Sequence, residues 1–179
     1  MTTTFVCPTV HTERLTLRPF RDDDVDAYFA VHDTPEVRGS LHLPDSFDRE
    51  EAWKHLAIWN GQWTLRNSGQ WAVEVTATGE FIGRAGTHRP LRDGWPGLEV
   101  GWTIHPDHWG QGYATEAGRA SVDWAFANHA VDELVSVILP DNAASQAVAR
   151  RLGFSWSEER TLPHFVQIPH GIWRLARPI

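Results

Sequence analysis

The sequence predicts an α/β domain of the α+β kind, and three observations carry that expectation. Residues 98–125, LEVGWTIHPDHWGQGYATEAGRASVDWA, read as a strand, a glycine-bearing turn and a helix in direct succession. Residues 132–152 repeat the order, with DELVSVIL as strand and the stretch after Asn142 as helix. Residues 70–75 and 81–86 are two alternating stretches around Thr78-Gly79, the pattern of an antiparallel hairpin. Strands that alternate with helices, beside strands that pair in a hairpin, are the pattern of a chain that combines both kinds of element.

In chain order, RLTLRP at residues 14–19 alternates and reads as a first strand. Asp22, Asp23 and Asp24 then open a helix, since acids favour the positive end of the helix dipole. It should run to His32 with Val25, Tyr28, Phe29 and His32 on one side, broken at Thr34 and Pro35. GSLHLPDSF reads as a proline-bearing loop. A second helix starts after Ser46 or Asp48 and carries Trp53, Leu56, Ala57 and Trp63 toward Gly69. The hairpin follows, and RPLRDGWPG at residues 89–97 is a loop into the central strand, where Leu98, Val100, Trp102 and Ile104 alternate with Glu99, Gly101 and Thr103. The helix beyond Gly112 repeats Ala114, Ala117, Ser121, Trp124 and Ala125 at helical spacing. Pro140, Asp141 and Asn142 stop the next strand, residues 143–152 form a short helix closed by Gly153, and two strands near residues 154–159 and 172–176 finish the chain.

At 179 residues and 41% hydrophobic composition, the chain is sized for one domain over residues 1–179. A formal charge of −7 with no run of Lys or Arg argues against nucleic acid and suits an amine-bearing acceptor. Cys7 is the one cysteine, so a disulfide framework and a thiolate zinc site are excluded, as in a reducing, cytoplasmic compartment. It lies in a start expected to fray, with no positioned base, and reads as incidental. MTTTFVCPTV lacks a basic leader, and no stretch reaches the ~20 apolar residues of a membrane helix.

The turn at Gly110, Gln111 and Gly112 sits where a helix begins, and the first N–H groups of a helix have no partner within it. With glycines and the small Ala114 keeping the approach open, those donors could cradle a pyrophosphate; the rival reading is an ordinary strand-to-helix turn. A P-loop is excluded, because the only lysine is Lys54. The dinucleotide fingerprint finds Thr115 in place of its third glycine, although Asp132 lies about 20 residues on. HPDHW also separates Ile104 from Gly110, whereas that fold turns directly off its strand. Asn142 and Ser145 stand at the start of the later helix, near the end of a strand that would run parallel to the central one. Singly they read as an N-cap and a back-bonding hydroxyl.

Together these pieces resemble the GCN5-related N-acetyltransferase (GNAT) family, over most of the chain. The family's loop, Gln/Arg-x-x-Gly-x-Gly/Ala, corresponds to Trp109-Gly110-Gln111-Gly112-Tyr113-Ala114, with Trp109 replacing the polar first position. GYATEA at residues 112–117, NxxS at Asn142 to Ser145, LGF at residues 152–154 and the opening HTERLTLRPFRDDDVDAYFAVH are similar to the branch that acetylates ribosomal-protein N-termini. The resemblance implies a mixed, mostly antiparallel sheet splayed between two parallel strands and flanked by about four helices. It implies acetyl-CoA as donor, with main-chain groups at Thr103 and Ile104 on the pantetheine and acetyl group. N–H groups of Gly110, Gln111, Gly112, Tyr113, Ala114 and Thr115 would hold the pyrophosphate, and Asn142 the pantetheine.

Acetyl transfer to a primary amine, through a tetrahedral intermediate, asks for a base and an acid. An α-amine has a pKa of ~8 and a lysine ~10.4, so Glu99, on the strand face opposite Leu98, Val100 and Trp102, is the candidate base; its rival role is a surface ion-pair partner. Ser145 is the candidate acid for the departing thiolate, where many members of that family use tyrosine. A main-chain N–H near Ile104 would serve the oxyanion, and Glu116 would compensate the helix dipole. His105 and His108 lack an evident third ligand, and no metal is expected. Trp53, Trp59, Trp63 and Trp95 are expected to roof an acceptor pocket. The acceptor is expected to be a protein N-terminus or a small amine, and the protein a monomer or homodimer. A non-catalytic CoA-binding module and a dinucleotide-binding protein are the alternatives.

Overall fold

A computed structural model describes residues 4–162 and 168–178. Its strands form a single sheet, β1 (Val10–His11), β2 (Leu15–Arg18), β3 (Gln70–Val75), β4 (Glu80–His88), β5 (Glu99–Ile104), β6 (Glu133–Ile138), β7 (Ser155–Thr161) and β8 (Pro169–Ala176). The spatial order is β1-β2-β3-β4-β5-β6-β8-β7, and every neighbouring pair is antiparallel except β5 with β6. That parallel pair is registered only at Glu99 with Val135, where the Val135 N–H donates to the Leu98 carbonyl at 3.0 Å. Past it the strands part, which is the expected splay.

Five α-helices cover the sheet among the described residues: α1 (Val25–His32), α2 (Pro35–Leu41), α3 (Arg49–Arg66), α4 (Tyr113–Asn128) and α5 (Ala143–Leu152). Four were expected, and α2 is the addition. Pro35 occupies its first turn, where a missing N–H costs nothing, so the residue read as a breaker of α1 also starts the next helix. The α3 N-cap is Asp48, whose carboxylate accepts from the Glu51 N–H at 3.0 Å. Its buried face is Ala52, Leu56, Trp59 and Trp63; Trp53 is half-exposed and Ala57 exposed, one position off the expected stripe.

The helices α1 and α3 pack on one face of the sheet and α4 and α5 on the other. Ala72 faces Tyr28, Leu56 and Trp59, while its neighbours Trp71 and Val73 face the opposite way, into a core with Trp63 and Ala117. Within that core Trp63, Trp71 and Trp124 meet with centroids 4.6, 4.8 and 5.5 Å apart. The Trp63 and Trp71 indoles donate to the carbonyls of Gln70 and Pro8 at 2.9 and 2.8 Å. The bond to Pro8, with Phe5 N–H donating to the Thr64 carbonyl at 3.2 Å, ties down the segment around Cys7 that was expected to fray. Burial pushes the Cys7 thiol up to about 12, which removes it as a nucleophile. Residues 1–3 lie outside the described residues. No helix among them is long and apolar enough to cross a membrane.

Asp24 does more than open a helix. Buried with Arg18, it accepts both guanidinium Nη groups at 2.7 Å and the Arg21 N–H at 2.7 Å. Arg18 also pairs with Glu74, so the β2–α1 corner is built on a charged triad and not on dipole compensation alone.

Candidate active site

The parting of β5 from β6 opens a cleft of about 1020 Å³ bounded by both strands and by the N-terminal ends of α4 and α5. Alternation decides which atoms face it. The His105 N–H donates to Ile82 in β4 at 2.8 Å, and the Leu98 carbonyl accepts from β6, so even-numbered residues of β5 turn their main chain toward β6 and odd-numbered ones toward β4. Ile104 therefore offers its main chain to the open side, whereas Thr103 is hydrogen-bonded across to Arg84 in β4. What Thr103 brings to the cleft is its side chain: only 6% exposed, its hydroxyl has no hydrogen-bond partner among the described residues.

At the end of β5 a 3-10 turn, Pro106–His108, leads into the glycine loop. Gly110 and Gly112 sit at φ 75° and 84°, the left-handed region that glycine enters without penalty. Gly112 is the N-cap of α4 with no side-chain cap, and the Glu116 N–H is the first to find a helical acceptor, at 3.0 Å on the Gly112 carbonyl. Gly112, Tyr113, Ala114 and Thr115 thus present N–H donors at the cleft, with the helix dipole behind them. This cradle fits a diphosphate. Gln111 departs from its group, because its side chain turns back to the Asp107 carbonyl at 3.4 Å and it does not line the cleft.

Arginines that the sequence reading passed over complete the cradle. Arg14 donates to the Gln111 carbonyl at 2.9 Å, lies over the Tyr113 ring at 4.6 Å and pairs with Glu116 at 2.7 Å. Glu116 also accepts from the Thr12 hydroxyl at 2.6 Å and the Arg14 N–H at 2.8 Å. Partial burial works to raise its pKa, but these bonds outweigh it and hold the carboxyl below its ordinary value. It is a clamp between the β1–β2 turn and α4, in addition to a dipole partner. Arg119 and Arg151 line the same mouth, joined where Arg119 donates to the Arg151 carbonyl at 3.2 Å. Arg119 lies four residues past Thr115, so helical spacing was the available signal.

On the α5 side, the Asn142 side-chain oxygen accepts from the Ser145 N–H at 3.0 Å, the N-cap arrangement, and both residues line the cleft. His105 and His108 have different partners: the His105 ring accepts from the Asp107 N–H at 3.2 Å, and His108 meets Glu80 at 3.2 Å.

The far half of the cleft is floored by Gly101 and walled by Glu99, His88, Arg84, Gln70, Trp59, Trp95 and His170. The Glu99 side chain is 13% exposed, and its Oε2 lies 3.3 Å from His88 Nδ1. His88 is packed edge-on between Trp59 and Trp95, with centroids 5.1 and 5.7 Å away. Of the four tryptophans expected to roof this region, Trp59 and Trp95 do so; Trp63 belongs to the core, and Trp53 lies on the surface with its indole on Asp22 at 3.2 Å. An arginine within the small-residue strand FIGRAG was a readable sign of Arg84.

A family model described as acetyltransferase (GNAT) domain matches residues 14–155. The chain belongs to the GNAT acetyltransferase family. Among GNAT proteins, the uncharacterized N-acetyltransferase YoaA of Bacillus subtilis (strain 168) is 29% identical over 147 residues, 82% of each chain. The solved acetyltransferase of Agrobacterium tumefaciens str. C58 superposes with a TM-score of 0.82 at 33% identity, covering 97% of this chain and 96% of that one. RimL, a ribosomal L7/L12 α-N-protein acetyltransferase solved in complex with coenzyme A, shares the GNAT fold with a TM-score of 0.77 at 18% identity, over 94% and 98% of the two chains.

Proposed function

We propose that this acetyltransferase moves the acetyl group of acetyl-CoA onto a primary amine, a protein N-terminal α-amine or the amine of a small molecule, by direct attack on the thioester carbonyl. The observation that carries the reading is one continuous cleft with N–H donors of the α4 N-terminus at one end and Glu99 at the other. The diphosphate rests on the N–H groups from Gly112 to Thr115, with Arg119 and Arg151 adding positive charge in a chain whose net charge is −7, while Arg14 braces the loop through the Gln111 carbonyl and Glu116. The pantetheine lies along the open edge of β5, using main-chain groups at Ile104 as an added strand would. Asn142 holds it from the opposite wall.

Glu99 accepts the proton of the attacking amine, directly or through water, and His88 at 3.3 Å orients the carboxylate. Main-chain N–H groups of β5 facing β6 meet the charge that develops on the acetyl oxygen. Ser145 supplies a proton to the departing thiolate, whose parent thiol has a pKa of ~8.5. The reading treats residues 1–179 as one catalytic domain working in the cytoplasm.

Two measurements test it. Thermal shift with acetyl-CoA, CoA and NAD should show stabilisation by the first two alone; preference for NAD would sink the donor. Thiol release across a panel of amines should show acetyl-CoA-dependent turnover that falls in Glu99→Gln and Ser145→Ala. Unchanged turnover in both would remove Glu99 and Ser145 as catalysts, and CoA binding with no turnover on any amine would leave a CoA-binding module.

A further inference from the structure

Arg84 lines the acceptor half of the cleft from β4, and the side chains that bond to it are neutral. Its Nε donates to His32 Nε2 at 3.3 Å, its Nη1 to Gln70 Oε1 at 3.0 Å, and its guanidinium lies 5.4 Å from the Trp59 ring centroid. His32 is fully buried and cannot answer the charge: its Nδ1–H donates to the Tyr28 carbonyl at 2.8 Å, leaving Nε2 as an acceptor, and burial together with the Arg84 charge holds it neutral. No carboxylate pairs with Arg84 among the described residues; Glu74 is taken by Arg18, and Glu99 faces His88. A half-buried guanidinium without a counter-ion has lost water and gained only neutral bonds, an arrangement that proteins otherwise avoid.

The second observation is its cross-strand neighbour. Arg84 is registered with Thr103, and the two side chains stand side by side on the cleft face of the sheet. The Thr103 hydroxyl is buried and has no hydrogen-bond partner among the described residues. Next along the same face, Gly86 is paired with Gly101, so neither strand raises a side chain of its own there, and the nearest one is that of Gln70, whose Nε2 stands 3.8 Å from where a β-carbon on Gly101 would be.

We propose that Arg84 and Thr103 form a carboxylate-binding corner, and that the acceptor is a primary amine carrying a carboxylate some way from the reacting nitrogen. The assignment rests on the N-acetyltransferase reading and adds the acceptor class to it. The guanidinium offers Nη donors to the carboxylate, the threonine hydroxyl a further one, and the amine lies over Gly101 toward Glu99. The neutral shell of His32, Gln70 and Trp59 fixes the guanidinium plane while leaving its charge for the ligand.

The test uses acetylated product analogues as probes on the full chain saturated with CoA. 4-Acetamidobutanoate and 6-acetamidohexanoate, whose carboxylates stand away from the acetylated nitrogen, are compared with their amides by calorimetry and by intrinsic tryptophan fluorescence, and acetyl-Ser-Asp-amide asks whether the carboxylate can come from a peptide side chain. In the native protein each free acid should bind at least ~10-fold more tightly than its amide. The ratio should fall to near one in Arg84→Met, remain intermediate in Arg84→Lys, and drop in Thr103→Val, with CoA affinity the same in both Arg84 variants and a native-like thermal midpoint in Thr103→Val as proof of folding. Equal binding of acid and amide, a preference retained in Arg84→Met, or no binding of any probe to the CoA-loaded protein overturns the carboxylate corner alone. A native protein that does not bind CoA overturns the acetyltransferase reading and this one with it.

Discussion

The indole Nε1 of Trp109 donates to the main-chain carbonyl of Ile104 at 2.7 Å. Trp109 stands where the related loops carry a polar residue, and the bond shows what the indole does there. It pins the start of the glycine loop to the last residue of β5, so the diphosphate cradle and the open strand edge move as one body. In Trp109→Phe the ring remains and the donor is lost, a change of about 1 kcal/mol or roughly five-fold in an equilibrium. CoA affinity measured by calorimetry should weaken by about that factor. An unchanged affinity would separate the loop from the strand.

Gly112 makes a sharper demand. At φ 84° a β-carbon is strained, and one built there meets the Arg14 Nη2 at 3.4 Å, beside the donors for the phosphates. Gly112→Val should weaken CoA binding by ~10-fold, since the free loop relaxes out of the left-handed conformation and restoring it on binding costs about 1–2 kcal/mol for an L-residue. The thermal midpoint of the ligand-free protein should fall far less than that of the CoA complex.

Replacing Glu99 by Gln preserves shape and removes the base. Turnover should fall about 100-fold with CoA affinity unchanged. The loss should be greater for a lysine-like amine, pKa ~10.4, than for an α-amine of pKa ~8, which sheds its proton unaided more often. Equal losses on both amines would argue that Glu99 positions the acceptor instead of taking its proton.

Acid stability follows from two histidines beneath the acceptor site. Burial first, and then the Arg84 charge, holds His32 well below its ordinary 6.5 and brings His55 down to about 4. The unfolded chain protonates both rings near 6.5, whereas the folded chain holds His32 neutral well below that and protonates His55 only at about 4, so below 6.5 the unfolded state binds more protons. Stability is therefore complete above 6.5 and is lost as the pH falls from there toward about 4. Thermal midpoints across this range should decline, and His55→Gln, which cannot titrate, should decline less steeply than the native chain. Parallel slopes would place the acid sensitivity elsewhere.

Much of this architecture could be read from local pattern, because local physics governs it. Residues 70–75 and 143–152 were legible to the residue, since alternation and a cap followed by helical spacing leave few other solutions. Gly110 and Gly112 could be placed at a helix start, and Glu99 on the polar face of its strand, for the same reason. Pro35 misled because one residue type both ends a helix and begins one, and only the packing of Val37 against its neighbours chose between them.

The acceptor site belongs to the other category. Arg84, Gln70, His32 and Thr103 come from three strands and a helix, and nothing within any one segment says that their side chains converge. Which of ten tryptophans are core and which line the cleft was likewise decided by tertiary packing, because α3 buries Ala52 and Trp59 beside the expected Leu56 and Trp63 and leaves Trp53 at the surface. The chain alone determined the elements, their caps and the glycine-bearing turn at a helix start, all interactions among near neighbours in sequence. The cleft, and the Arg84 charge that has no counter-ion among the described residues, exist only once β4, β5 and α1 are brought together.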